Sequence, residues 1–137
     1  MLRRIMLALD DSEESARALN VARDLAQGSN ASVIVLHVRD QAVPCCGGAW
    51  ETPMACAPDE LVSRAVSMLQ TAGVDARARI VHSAGRPALA ILDAADDQEA
   101  DLLIAGWRPR HTLGGLLEKS TGQKLTDAAD RPLLLVP

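Results

Sequence analysis

Short apolar runs alternate with longer amphipathic stretches from one end of the chain to the other. Arg3–Leu9 is such a run, closed by Asp10-Asp11-Ser12. It is too short for a helix and predicts a buried strand. Ala18, Leu19, Ala22, Leu25 and Ala26 then recur at helical spacing, with Glu13, Glu14, Arg17 and Asp24 facing away. Asp11 or Ser12 can cap the first turn of that helix, and Gly28 suits its end. Ser32–Val38 (SVIVLHV) is rich in β-branched residues and predicts a second strand.

The same alternation continues. Pro58 and Asp59 open a helix to about Ala72, with Leu61, Val62, Ala65, Val66, Met68 and Leu69 as its apolar residues and Gly73 as its stop. Asp75–His82 alternates small or apolar residues with charged ones, as suits a strand near a sheet edge. Gly85-Arg86-Pro87 is a turn, with Pro87 at a first helical position, and Ala88–Gln98 continues as a helix. Leu102–Ala105 is a strand, Ser120–Ala129 a weaker helix, and Pro132–Val136 a closing strand. Two segments, Arg39–Ala57 and Trp107–Lys119, carry neither period. The first is long for a connection in a compact domain, and such loops usually carry function.

Five strands alternating with four helices predict an α/β fold: an open five-stranded parallel sheet with right-handed crossovers and helices on both faces. Ligands of such sheets bind beyond the carboxyl ends of the strands, where strand order reverses. That directs attention to Asp10–Ser12, Val38–Asp40, His82–Gly85 and Gly106–Ser120.

Length and composition narrow the function. With 137 residues the chain is expected to be a single domain over 1–137. It has no Phe and no Tyr, so its core must come from Leu, Val, Ile, Ala and Met. The net charge is −4, no basic stripe is visible, and only Trp50 and Trp107 could stack on a base, which argues against nucleic acid as a partner. No apolar run reaches the roughly 20 residues of a membrane span. The first residues lack the long apolar region and cleavage site of a signal peptide, so a cytoplasmic location is expected and no membrane partner.

Cys45, Cys46 and Cys56 are an odd number in one segment, which is no disulfide framework. With His37 or His82 they would make a poor zinc site, because adjacent cysteines do not match the usual spacing of structural sites. Free thiols and no metal are the expectation. His82 and His111 read as polar residues at the cleft rim, since no Ser or Cys nucleophile pairs with either.

Several of these segments together resemble the universal stress protein family. They are Ile5–Ser12 followed by Ala18-Leu19, the strand ending Leu36-His37-Val38, Gly85-Arg86-Pro87-Ala88 with Ile91-Leu92, Ala100–Gly106, and the terminal Pro132–Pro137. The resemblance spans the whole chain in the right order. It implies a flavodoxin-like or Rossmann-like strand order 3-2-1-4-5, a homodimer, and ATP or another nucleotide as ligand. The acid at Asp10 would lie beside the nucleotide, and the Val38 backbone would meet the adenine. Asp11 and Ser12 adjoin Asp10 at the same strand end, with helix capping as their alternative role.

Many members of the family bind ATP through a loop of pattern G-x2-G-x9-G-[ST]. Placed on this chain, Gly106 takes the first position and Ser120 the last, but Pro109 and Lys119 stand where the other two glycines should be. A glycine loop holds phosphate by close approach of bare backbone N–H groups. Pro109 has no N–H and a fixed φ, and Lys119 brings a long stem. Arg108, Arg110 and Lys119 offer charge in partial compensation, Gly114-Gly115 offers flexible backbone, and Ser120-Thr121 offers hydroxyls at a helix start. The expectation is a stress-response binding module with weak or no ATP binding, and not an enzyme. A slow ATPase and a dimeric interaction protein that binds no nucleotide are the alternatives.

Two other readings fail. Asp10-Asp11 after a strand is also similar to the acidic pair of two-component receiver domains, but the third strand ends Val81-His82-Ser83 without a phosphoacceptor Asp. The S-G-G-x-D-S motif of adenylating relatives is missing as well.

Overall fold

The computed structural model describes residues 1–40, 58–107 and 121–137. In chain order the elements are β1 (Arg4–Ala8), α1 (Glu13–Ser29), β2 (Ser32–Asp40), α2 (Pro58–Thr71), β3 (Ala76–Ser83), α3 (Pro87–Asp97), β4 (Leu102–Gly106), α4 (Thr121–Ala128) and β5 (Leu133–Val136). All strand pairs are parallel, and the sheet order is β3-β2-β1-β4-β5. This is the expected α/β architecture and the expected strand order.

Side-chain alternation sorts the core into two layers. Ile5, Leu7, Val33, Val35 and Ile104 face α1 and α2, where they meet Ala18, Ala22, Val62 and Leu69. Met6, Ile34, Leu36, Leu103 and Ala105 face α3 and α4, where they meet Ala88, Ile91, Ala95 and Leu125. β1 contributes to both layers, and Ile5, Met6 and Leu7 are fully buried. β3, at one edge, is mostly exposed along Arg77–Arg79, as its charged alternation predicts.

The helix ends follow local chemistry. Ser12 caps α1 by accepting the Ser15 N–H at 3.2 Å. Gly28, expected to stop α1, stays helical. The stop falls at Asn30, whose φ of 56° is left-handed and whose N–H bonds the Ala26 carbonyl. Asn tolerates that region because its short amide satisfies the backbone locally. Gly73 and Gly85 both have φ near 81°, so each marks a turn that other residues would strain. Pro87 opens α3.

Opposite the strand carboxyl ends, two side chains stitch the sheet to its connections. Arg131, just before β5, donates to the Ala95 and Ala100 carbonyls at 2.9 and 3.0 Å and pairs with Asp96 and Asp130. Asp101, just before β4, accepts the Arg3 and Arg4 N–H groups at 2.8 and 3.0 Å, which fixes the entry of β1.

The Arg4 N–H first, and the Arg3 N–H after it, hold the Asp101 carboxyl below its ordinary value of 3.8. A carboxyl lowered on folding stabilises the fold above its unfolded value, and that stability is lost as pH falls through the folded value. Asp101→Asn is therefore expected to destabilise the protein at neutral pH, with the gap from wild type closing as pH drops below 3.8. Urea unfolding across that range checks this, and a gap independent of pH would contradict it.

Candidate functional site

The strand order reverses between β1 and β4: from β1 the chain moves outward through β2 to β3, and from β4 outward to β5. At the carboxyl ends of these strands lies a cleft of about 140 Å³. Its floor is Ala8, Leu9, Leu36, Val38, Ala105 and Gly106 from the strands, and its far wall is Pro87 and Ile91 of α3 with Thr121, Gly122 and Leu125 of α4. Asp10, Ser15 and His37 supply polar groups.

One wall is a strand that outlasts its neighbour. β1 pairs with β2 as far as Ala8 opposite Leu36, and one further rung joins the Leu9 N–H to the Leu36 carbonyl at 2.8 Å. β2 then continues to Asp40 with β3 alone. Ser32 donates to Arg3 and Leu36 accepts from Leu9, so even-numbered residues of β2 turn their backbone groups toward β1. Val38 falls in that series, beyond the end of β1. Its N–H and C=O therefore face the cleft side of β2.

The acidic rim is tightly organised. Asp10 Oδ1 accepts from the Ser12 N–H at 2.9 Å and from the Ser15 hydroxyl at 2.8 Å, while Ser15 Oγ accepts the Asp10 N–H at 3.0 Å. Ser15 is buried and Asp10 exposed, so the hydroxyl anchors a carboxylate that remains open to solvent. His37 Nδ1 lies 2.8 Å from the Leu9 carbonyl. A carbonyl only accepts, so Nδ1 carries the proton of that bond.

Gly106 has a packing role. A Cβ there would lie 2.6 Å from the Ser15 nitrogen and 2.7 Å from the Glu14 carbonyl carbon. Both are backbone atoms of α1's first turn, so β4 approaches the helix as closely as only glycine permits. Trp107 follows, its N–H on the Val136 carbonyl at 2.7 Å. Its indole covers Gly122 of α4, where a Cβ would come within 2.6 Å of Cδ1. Trp107 thus packs on α4 and is not among the cleft residues.

Of the residues singled out from sequence, Asp10, Val38, Gly106 and Thr121 line the cleft. Asp11 is exposed and Ser12 is engaged in capping α1; neither lines it. Arg108, Arg110, Gly115 and Ser120 lie outside the described residues, as do Pro109, Lys119, His111 and the three cysteines. His82 is exposed on β3, away from the cleft lining. Among the described residues no group of three potential ligands could hold a metal. Ser15, His37, Pro87, Ile91 and Leu125 were not assigned to the site from sequence. Spacing could have found Ser15 through its place on α1's first turn, but Ile91 and Leu125 look like any core residue.

The family model of the universal stress proteins matches residues 1–137. This chain belongs to the universal stress protein family. It is 31% identical over 99% of both chains to a universal stress protein of Thermus aquaticus. It is 32% identical to the Bacillus subtilis stress response protein NhaX, covering 97% of this chain and 96% of that one. Among solved structures, a universal stress protein in complex with cAMP superposes with a TM-score of 0.77 at 25% identity, covering 98% of this chain and 96% of that one.

The Gly106 contact gives a direct test. Gly106→Ala is expected to destabilise this member of the family by about 1–3 kcal/mol, the usual cost of overpacking, because neither the Ser15 nitrogen nor the Glu14 carbonyl can move aside without unwinding the helix start. Chemical denaturation measures it. An unchanged midpoint would mean the approach is looser than described.

Proposed function

We propose that this universal stress protein is a binding module for an adenine nucleotide, held mainly by its nucleoside part, and that its role is regulatory rather than catalytic. The observation that carries this is the uneven end of the β1–β2 pair. It leaves a donor and an acceptor of Val38 over an apolar floor at the point where strand order reverses. A flat base with a polar edge matches that combination. The exposed Asp10 carboxylate, fixed by Ser12 and Ser15, is an acceptor suited to ribose hydroxyls. The similar protein solved with cAMP supports the ligand class.

The phosphate end is expected to contribute little. Pro109 and Lys119 stand where the loop pattern has two of its three glycines, so one backbone N–H is missing and a long side chain takes the place of a hydrogen. A ligand with one phosphate loses less by this than ATP does. Isothermal titration of nucleotide-stripped protein tests the reading. cAMP and ATP are expected to bind with dissociation constants above micromolar and within roughly threefold of each other, which is under 1 kcal/mol apart. Sub-micromolar ATP binding would overturn the impaired loop. Absence of binding by either would favour the alternative, an interaction protein of the same fold.

A cytoplasmic homodimer completes the proposal. β5 is an edge strand made only of Leu133, Leu134, Leu135 and Val136; none is fully buried, and Leu134 is 36% exposed. An apolar edge of this kind favours being covered, and a second copy covers it with like surface. Light scattering is expected to give a dimer, and Leu134→Lys a monomer. A wild-type monomer at micromolar concentration would contradict it.

A further inference from the structure

We infer that His37 is a positioning residue that stops the β1–β2 ladder one rung short and so keeps the Val38 backbone available to a ligand. This rests on the nucleotide reading for its purpose, but the ladder itself is tested without nucleotide.

The geometry is that of a parallel ladder with a substituted rung. Such ladders alternate: on the β1 side, Ser32 donates to Arg3 and Leu36 accepts from Leu9. The Leu9 N–H and C=O both face β2, so the next bond in the series would run from the Val38 N–H to the Leu9 carbonyl. At that carbonyl stands the His37 ring, with Nδ1 at 2.8 Å. No backbone bond from Val38 to Leu9 forms.

The side chains are placed for this. Leu9 belongs to the layer facing α1 and α2, as do Val33 and Val35. His37 has their parity and so reaches Leu9 from that side, while Val38 packs with the opposite layer. A ring donor from the neighbouring residue satisfies the carbonyl that would otherwise recruit the Val38 amide. Imidazole suits the task for a second reason. Nδ1 carries its proton in the Nδ1–H tautomer and in the imidazolium alike, so the pin does not depend on the charge of the ring. The edge of β2 is thereby left open where a base would lie, at no cost in an unpaired Leu9 carbonyl.

The test compares His37→Leu with His37→Asn. Leu keeps bulk and removes the donor, whereas the Asn side-chain amide can place an N–H close to where Nδ1 stands. In ligand-free protein, hydrogen exchange of the Val38 amide is expected to slow about tenfold in His37→Leu, as the backbone rung closes, and to stay near wild type in His37→Asn. The Val35 and Leu36 amides serve as the check that β2 is folded. cAMP affinity is expected to fall by roughly five- to tenfold in His37→Leu, the effect of one lost net hydrogen bond, and to recover in His37→Asn. An unchanged Val38 exchange rate in a folded His37→Leu would overturn the inference. So would equal loss of affinity in both variants with both still folded. If wild type binds no cAMP, the nucleotide reading fails by itself, and the exchange rates still decide whether His37 holds the rung open.

Discussion

The site depends on how the parallel strands end. A ladder that stopped flush across β2, β1 and β4 would present a level rim and no wall. Here β1 ends at Ala8, and β2 runs on to Asp40 supported only by β3. The step so formed borders the place where strand order reverses, the one location in such a sheet where the connections leave in opposite directions and open a gap. α3 and α4 then close the far side with Pro87, Ile91 and Leu125. The cleft thus follows from strand lengths and topology, with the His37 ring at the Leu9 carbonyl where the shorter strand ends.

A core without Phe or Tyr suits this architecture. Strands buried on both faces need branched side chains of similar size, and Ile5, Leu7, Val33, Val35 and Ile104 provide them. The helices answer with small residues: Ala18, Ala22 and Ala26 on α1, and Ala88, Ala94 and Ala95 on α3. Small faces bring helices close to the sheet, and Gly106 lets β4 come against the first turn of α1 with no room for a Cβ. That turn also holds Ser15, which anchors Asp10. Packing and site geometry therefore share the same few residues.

Much of the fold could be read from the pattern because strand and helix periods are properties of single segments. Edge character was legible too: Arg77 and Arg79 on β3 are charges no central strand would carry. The end of α1 was misplaced because glycine is the commoner stop, yet Asn30 reaches the left-handed region and Gly28 sits two residues too early to satisfy the Ala26 carbonyl. Asp10 was legible as the turn after β1, whereas β2 runs two residues past Val38, its expected end, because β3 goes on pairing with it. Ile91 and Leu125 were not, because a core residue becomes a cleft residue only through the angle at which its helix crosses the sheet. His37 was hidden differently. Its spacing marks it as one more inward position of β2, and nothing in that spacing shows that its ring meets the Leu9 carbonyl.

The retained glycine of the loop pattern bears on how nucleotide binding should be weighed. Gly106 matches the first position of a phosphate-binding loop, and by itself that match would favour ATP. Yet backbone atoms of Glu14 and Ser15 already exclude any larger residue there. Glycine would be required at that position in a protein that held no phosphate at all. Its presence therefore discriminates nothing, whereas a proline and a lysine at the two positions that would have discriminated stand against a triphosphate cradle. What remains in favour of a nucleotide is the base-facing wall of β2 and the carboxylate rim at Asp10. These features suit the nucleoside part of the proposed ligand, whatever phosphate it carries.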